Sequence, residues 1–201
     1  MQWNKWIEKD STINTGLQRY DSLDIDADDK KNLIVHFTTS VLPLIKKYCT
    51  INTILDVGCG NGRISHILSQ TFRNVTAIDA FRKPNKTYLN NNINFISSSI
   101  EEFETTEKFD LILFWGVFYL MYFSGYDQVL IKCKSLLNKS GIIILADDKV
   151  RTIEKKENVP GWYDIDKLTQ HVELEIFYDT IVNNYYRTIF LQDSNNFIKD
   201  I

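Results

Sequence analysis

Ile54-Leu55-Asp56-Val57-Gly58-Cys59-Gly60-Asn61-Gly62-Arg63 sets an apolar run against three glycines at alternate positions. Thr53–Val57 is short and apolar enough for a buried strand. Arg63–Phe72 has helical spacing, with Ile64, Ile67, Leu68 and Phe72 on one side. A strand entering a helix through such a turn needs backbone that tolerates left-handed dihedrals and close approach by a ligand, and glycine allows both. The helix start adds N–H groups with no intrahelical partner. In open α/β sheets this corner lies at the carboxyl end of the strands, where ligands bind.

Outward from the loop, apolar strands alternate with amphipathic helices. Strands are expected at Val75–Asp79, Asn94–Ser97, Phe109–Phe114 and Gly141–Ala146, and the clearest helix at Tyr126–Leu137. Upstream, Leu33, Ile34, Phe37, Val41, Leu44, Ile45 and Tyr48 form a helical stripe over 30–48 that Pro43 is placed to kink. Val172–Tyr178 and Tyr185–Leu191 are separated by too few residues for a crossover helix and read as an antiparallel pair. The expected fold is α/β, a Rossmann-like doubly wound sheet covered on both faces and ending in that hairpin. Residues 30–201 form one domain. Residues 1–29 are an extension whose Trp3, Trp6, Leu17 and Tyr20 suit either a lid over the site or a helix against the sheet edge.

The loop spacing selects a ligand class. Dinucleotide sites use GxGxxG, which places a pyrophosphate on the helix N-terminus. Here the spacing is GxGxG and Asp56 precedes it, where a carboxylate would repel a pyrophosphate. The same acid suits the ammonium and sulfonium of S-adenosylmethionine (SAM), and Arg63 suits that ligand's carboxylate. Asp79 ends the second strand about 20 residues past the loop, placed to accept ribose hydroxyls. After the third strand, Ile100 is a candidate for packing on adenine, and Ser99 or Glu101 for meeting its amino edge. A serine-capped turn explains that segment equally well. The cofactor-side set is Asp56, Gly58, Cys59, Gly60, Gly62, Arg63, Asp79, Ala80, Ser99, Ile100, Glu101 and Phe114.

Composition narrows the partners. A net charge of −3 with scattered basic residues weighs against a nucleic-acid substrate. The three cysteines, Cys49, Cys59 and Cys133, form no CxxC pair and point to a reducing compartment. With no signal peptide and no span of about 20 apolar residues, a cytoplasmic protein without membrane attachment is expected. His36, His66 and His171 read as surface or structural residues.

These residues together resemble the class I SAM-dependent methyltransferases over roughly 50–192. Leu55–Gly62 corresponds to that family's first motif and Asp79 to its ribose acid. Phe109–Phe114 corresponds to its fourth strand, and Leu136–Leu145 to the segment entering its fifth. The resemblance implies a seven-stranded sheet with a reversed last strand, and SAM as methyl donor. Trp6–Ile13, Gly16–Tyr20, Gly60–Ile64, Phe114–Leu120 and Lys132–Ile143 are also similar to the N-terminal α-amine protein methyltransferases. Through that likeness Arg63 matches a loop arginine, Trp115 an aromatic beside the acceptor, and Asp148 an asparagine after the fifth strand. The chain departs from that pattern at Tyr119, where a histidine is expected, and near 159–161, where a catalytic aspartate has no counterpart.

The acceptor is expected over the carboxyl ends of strands four and five, beside Trp115, Tyr119, Asp147 and Asp148, with Asp148, Tyr119 and Trp115 the catalytic candidates. An aromatic face near a carboxylate suits an amine that becomes a methylammonium. Trp115 and Tyr119 are alternatively core, and the Asp147–Asp148 pair a solvated turn. No metal is expected, because Trp115 stands where a metal-dependent catechol methyltransferase needs a further acid. The (Asp/Asn)-Pro-Pro-(Tyr/Phe) signature of amino-methylating DNA enzymes is absent. The leading expectation is methyl transfer to an amine of a small molecule or peptide. The alternatives are O-methylation of a sugar or secondary metabolite, a SAM-binding protein without catalysis and, last, a nicotinamide-dependent oxidoreductase. Oligomeric state is not legible.

Overall fold

The structure, a computed structural model, describes residues 34–48, 50–148, 163–182 and 186–196. The extension at 1–29, with the proposed lid, and Cys49 lie outside the described residues. The chain divides into two compact units, Met1–Pro43 and Leu44–Ile201. In the first, the described residues are helical and widen into a π turn over Phe37–Val41, where Leu42 N donates to the Phe37 carbonyl. Pro43 follows directly and has no N–H to continue the ordinary ladder, so the expected disturbance takes the form of that wide turn.

The second unit is built on a seven-stranded sheet in the order β3-β2-β1-β4-β5-β7-β6. The strands are β1 (Thr53–Val57), β2 (Asn74–Ile78), β3 (Ile93–Ile96), β4 (Phe109–Trp115), β5 (Leu137–Asp148), β6 (Leu174–Val182) and β7 (Tyr186–Asp193). Helices α1 (Leu42–Tyr48), α2 (Arg63–Ser69), α3 (Tyr126–Leu136) and α4 (Ile165–Val172) accompany it. β1 to β5 pair in parallel, while β7 runs antiparallel between β5 and β6. Strand order reverses between β1 and β4, and in open α/β sheets ligands bind at the carboxyl ends of the strands beside such a switch point.

β4 is buried on both faces: Phe109, Leu111, Ile112, Leu113 and Phe114 are each at most 1% exposed. That explains its almost unbroken apolar run. On one face Leu55, Val57, Ile112 and Phe114 pack with Val129, Leu130, Cys133 and Leu136 of α3 and with Ile165 and Val172 of α4. α4 is a helix that sequence periodicity did not single out. It starts on Asp164, whose carboxylate accepts Lys167 N, and buries Ile165, Thr169 and Val172.

β5 begins at Leu137, earlier than the expected Gly141, because its register to β4 slips between Phe109 and Leu111. Asp110 fastens this end of the sheet. Its Oδ2 accepts Asn52 N at 2.8 Å, Thr53 N at 3.0 Å and the Thr53 hydroxyl at 3.2 Å, while Asn138 Nδ2 donates to Oδ1 at 2.6 Å. Burial pushes the Asp110 carboxyl up, but these donors outweigh it and hold it below the ordinary range.

Asp110→Ala is expected to cost about 2–3 kcal/mol at pH 7 in urea denaturation, by removing a charged acceptor shared by the segments at 52–53 and 138. Because the folded-state value is depressed, this contribution is present above about pH 4 and fades as pH falls further. An unchanged midpoint at pH 7 would refute the fastening role.

Candidate active site

β2 delivers the acceptors that shape the glycine loop. Gly58 N and Cys59 N donate to the Ile78 carbonyl at 2.8 and 3.1 Å. The next N–H, of Gly60, donates to Asp79 Oδ2 at 2.9 Å. Asp79 Oδ1 accepts Phe81 N and Arg82 N at 2.8 Å each. A carboxylate offers about four lone-pair sites, so roughly one remains for an incoming hydroxyl unless a ligand displaces the Gly60 N–H. Asp79 thus organises the loop besides being placed to receive a ligand. Gly58 and Gly60 both hold positive φ, 69° and 57°. A Cβ on residue 58 would meet Val117 Cγ2 at 2.5 Å, whereas one on residue 60 would meet nothing within 4 Å among the described residues beyond its chain neighbours.

Asp56 is 1% exposed and accepts the Ser65 hydroxyl, from the inward face of α2, at 2.5 Å. Burial pushes its carboxyl up to about 6; the Ser65 bond opposes the rise and the charge of Asp79 adds to it. Ser65 was not among the sequence candidates. The signal was a polar residue between Ile64 and Leu68 on the buried side of a helix.

Arg63 opens α2, and its Nε and Nη2 are buried without a hydrogen-bond partner. Both carboxylate oxygens of Glu101 are likewise buried and unpartnered. Glu101 lies on the segment that Ser98 N ties to the Asp79 carbonyl at 3.2 Å. Buried charges without partners are costly, and these two fit a ligand carrying a carboxylate and a donor edge. The structure therefore suits SAM on chemistry as well as loop shape.

The other cofactor-side candidates divide. Cys59 is half-buried and Ala80 exposed at the loop ends. Gly62 is the N-cap of α2. Ser99 accepts Glu102 N at 3.2 Å, which is the capping role. Ile100 and Phe114, 2% and 0% exposed, belong to the core cluster, Phe114 edge-on to Phe118 at 5.2 Å.

On the acceptor side, Trp115 ends β4 half-buried, and Tyr119 lies in the 3-10 turn Phe118–Phe123. Asp147, 0% exposed, accepts Tyr119 N at 3.1 Å and the Tyr163 hydroxyl at 2.9 Å on the same Oδ2. Tyr163 had no sequence signal, because its partner is 16 residues away across the sheet end. Asp148 ends β5, its backbone paired with Tyr186, and its side chain lies outside the described residues. His66 meets the Tyr88 carbonyl at 3.0 Å and His171 faces Asp127 at 3.9 Å, both structural contacts. Among the described residues no helix is long and apolar enough to cross a membrane.

A family model described as a methyltransferase domain matches residues 51–189. The ubiquinone biosynthesis O-methyltransferase of Rickettsia bellii is 41% identical over 66 residues, 30% of this chain and 28% of that protein. Its Rickettsia typhi counterpart is 32% identical over 99 residues, 46% of this chain and 39% of that protein. The match to these curated relatives thus spans well under half of their length. Among solved structures, N-methyltransferase NodS of Bradyrhizobium japonicum in complex with S-adenosyl-L-homocysteine (SAH) superposes with a TM-score of 0.66 at 15% identity, covering 89% of this chain and 97% of that one. The 1,6-didemethyltoxoflavin-N1-methyltransferase of Burkholderia thailandensis gives 0.64 at 16% identity, covering 92% and 86%. The class I methyltransferase fold expected from the motifs, with its antiparallel last strand, is the fold observed.

Asp56 makes the site pH-sensitive. Its folded-state value is raised, so the stability associated with its protonated form is complete below about pH 4 and lost as pH rises through about 6. Asp56→Asn should remove that slope, so the variant should gain about 3 kcal/mol of stability relative to wild type from pH 4 to pH 7. Parallel melting curves across that range would contradict it.

Proposed function

The chain belongs to the methyltransferase-domain family, and from that premise we propose that it transfers the methyl group of SAM to an amine of a small molecule or peptide. The observation that carries the reading is that Arg63 Nε and Nη2, directly after the glycine loop, and both Glu101 carboxylate oxygens, on the segment tied to Asp79, are buried without hydrogen-bond partners. SAM, when bound, supplies a methyl on a sulfonium whose thioether leaves without taking a proton. Arg63 would hold the ligand's carboxylate, Asp79 its ribose, and Glu101 its adenine edge, while Asp56 supplies negative potential beneath the cation. Ala80, Ser99 and Cys59 stand nearby in the chain as lesser contributors.

Catalysis then rests on holding donor and acceptor in line, which alone is worth an effective molarity of about 10⁵–10⁸ M. The amine is favoured by what the buried acid can do. Asp147 is sealed from solvent and already accepts two donors, so it is poorly suited to taking a proton from a hydroxyl. An amine attacks through its lone pair once it has lost its ammonium proton, which can pass to solvent before the acceptor is enclosed and so needs no base in the site. Trp115 at the end of β4 offers an aromatic face to the methylammonium that forms. A second reading, a hydroxyl acceptor with Asp148 or Tyr119 as base, draws on the O-methyl chemistry named for the Rickettsia relatives. The peptide option rests on the N-terminal α-amine resemblance and the small-molecule option on the named relatives.

Incubation with SAM and separate pools of amines, hydroxyl compounds and short peptides, read by mass spectrometry for methylated products, distinguishes them. Methylated amines that persist in Asp148→Asn fit the lead reading. Products confined to hydroxyls and lost in that variant replace it. Arg63→Met should weaken SAH binding by about ten- to a hundredfold in calorimetry, the scale of a charge-assisted pair. Its melting temperature should stay level or rise, since it deletes an unpaired buried charge. Undiminished affinity would remove Arg63 from the site.

A further inference from the structure

Tyr163, just before α4, is 2% exposed and Asp147, on β5, is 0% exposed. The phenol donates to Asp147 Oδ2 at 2.9 Å, and the same oxygen accepts Tyr119 N at 3.1 Å. Leu120 N closes the turn on the Val117 carbonyl at 2.9 Å, so fixing Tyr119 also fixes Val117. The Val117 side chain fills the place where residue 58 would carry a Cβ, 2.5 Å from Cγ2. A continuous chain of contacts therefore joins Tyr163 to the glycine loop through residues not assigned to the cofactor.

We infer that Tyr163 is a positioning residue: with Asp147 it forms a buried brace that seats Val117 on Gly58 and so tunes how tightly the loop holds its cofactor. The inference rests on the proposed SAM-binding role of that loop. Burial first, and then the neighbouring Asp147 charge, push the Tyr163 phenol well above its ordinary range, so it remains a donor. The ring is held separately, with centroids 5.0 Å from both Phe118 and Tyr126. The hydroxyl can therefore be removed while the packing stays. Its loss leaves the buried carboxylate without the donor that fixes its orientation, so the carboxylate is free to turn and the Tyr119–Val117 turn is no longer held in one place.

A path of this kind is established only by measured coupling. The test is a double-mutant cycle on SAH affinity by calorimetry, with thermal melting in parallel, using the full chain as wild type, Tyr163→Phe, Val117→Ala and the double variant. Tyr163→Phe should weaken SAH binding about three- to tenfold, the scale of one buried hydrogen bond. The same change in the Val117→Ala background should have little further effect. If Tyr163→Phe does not yield folded protein, Asp147→Asn, which keeps one acceptor oxygen, takes its place in the cycle. A lower melting temperature with unchanged SAH affinity makes Tyr163 a packing residue and overturns the brace. Equal weakening in both backgrounds overturns it as well, with the SAM reading intact. A folded wild-type chain that takes up no SAH overturns both.

Discussion

Three successive N–H groups, of Gly58, Cys59 and Gly60, are all taken up by the end of β2: two by the Ile78 carbonyl and one by the Asp79 carboxylate. This is the constraint from which the site follows. Backbone donors in a tight turn must find partners, and an unpaired buried one costs on the order of 1–3 kcal/mol. Meeting that demand from the neighbouring strand bends the loop into left-handed dihedrals and aims it across the switch point between β1 and β4. Asp79 also accepts Phe81 N and Arg82 N, so one side chain sets the loops after both β1 and β2. Its replacement would disturb loop geometry and ligand contact together.

The two buried aspartates on the central strands are compensated in the same manner on opposite sides of the site. Asp56 is met by the Ser65 hydroxyl and Asp147 by the Tyr163 hydroxyl and a backbone N–H. Hydroxyl donors satisfy lone pairs without cancelling charge, so negative potential is retained where a cationic donor group would bind. A lysine or arginine in either place would neutralise it. Arg63 and Glu101 present the converse case, charges kept without partners. On the proposed cofactor reading a ligand that supplies the missing groups offsets their desolvation, which would link binding to stability.

Much of this was legible in the sequence because it is local. The β1–glycine loop–α2 unit, Asp79 at the end of its strand and the apolar run of β4 are each encoded within about ten residues by period and glycine spacing. The reversed strand pair was legible because the segment between β6 and β7 is too short for a crossover. What escaped has its cause at long range. β5 starts early because of a register slip opposite Phe109, and the anchor at Asp110 joins residues 52, 53 and 138. Tyr163 carries no local pattern that would mark it as the partner of Asp147. Ser99 was ambiguous because the same residue type caps turns and contacts ligands, and the structure shows the cap.

The two leading glycines of the motif are required for different reasons, and the difference supports the proposed cofactor position. At position 58 the protein itself excludes a side chain, since Val117 lies 2.5 Å from the place a Cβ would occupy. At position 60, among the described residues other than its chain neighbours, no atom lies within 4 Å of that place, although the positive φ still favours glycine. A site shaped only by internal packing would crowd both positions. The loop is instead pressed against the scaffold at Gly58 and bare at Gly60, with its Gly60 N–H turned into the Asp79 carboxylate. In the proposed function that uncrowded backbone, with Asp56 buried beneath it and Arg63 and Asp79 close in the chain and hydrogen bonding, is where the nucleoside would lie. The turn that carries Val117 toward Asp147 holds the other side of that loop in place.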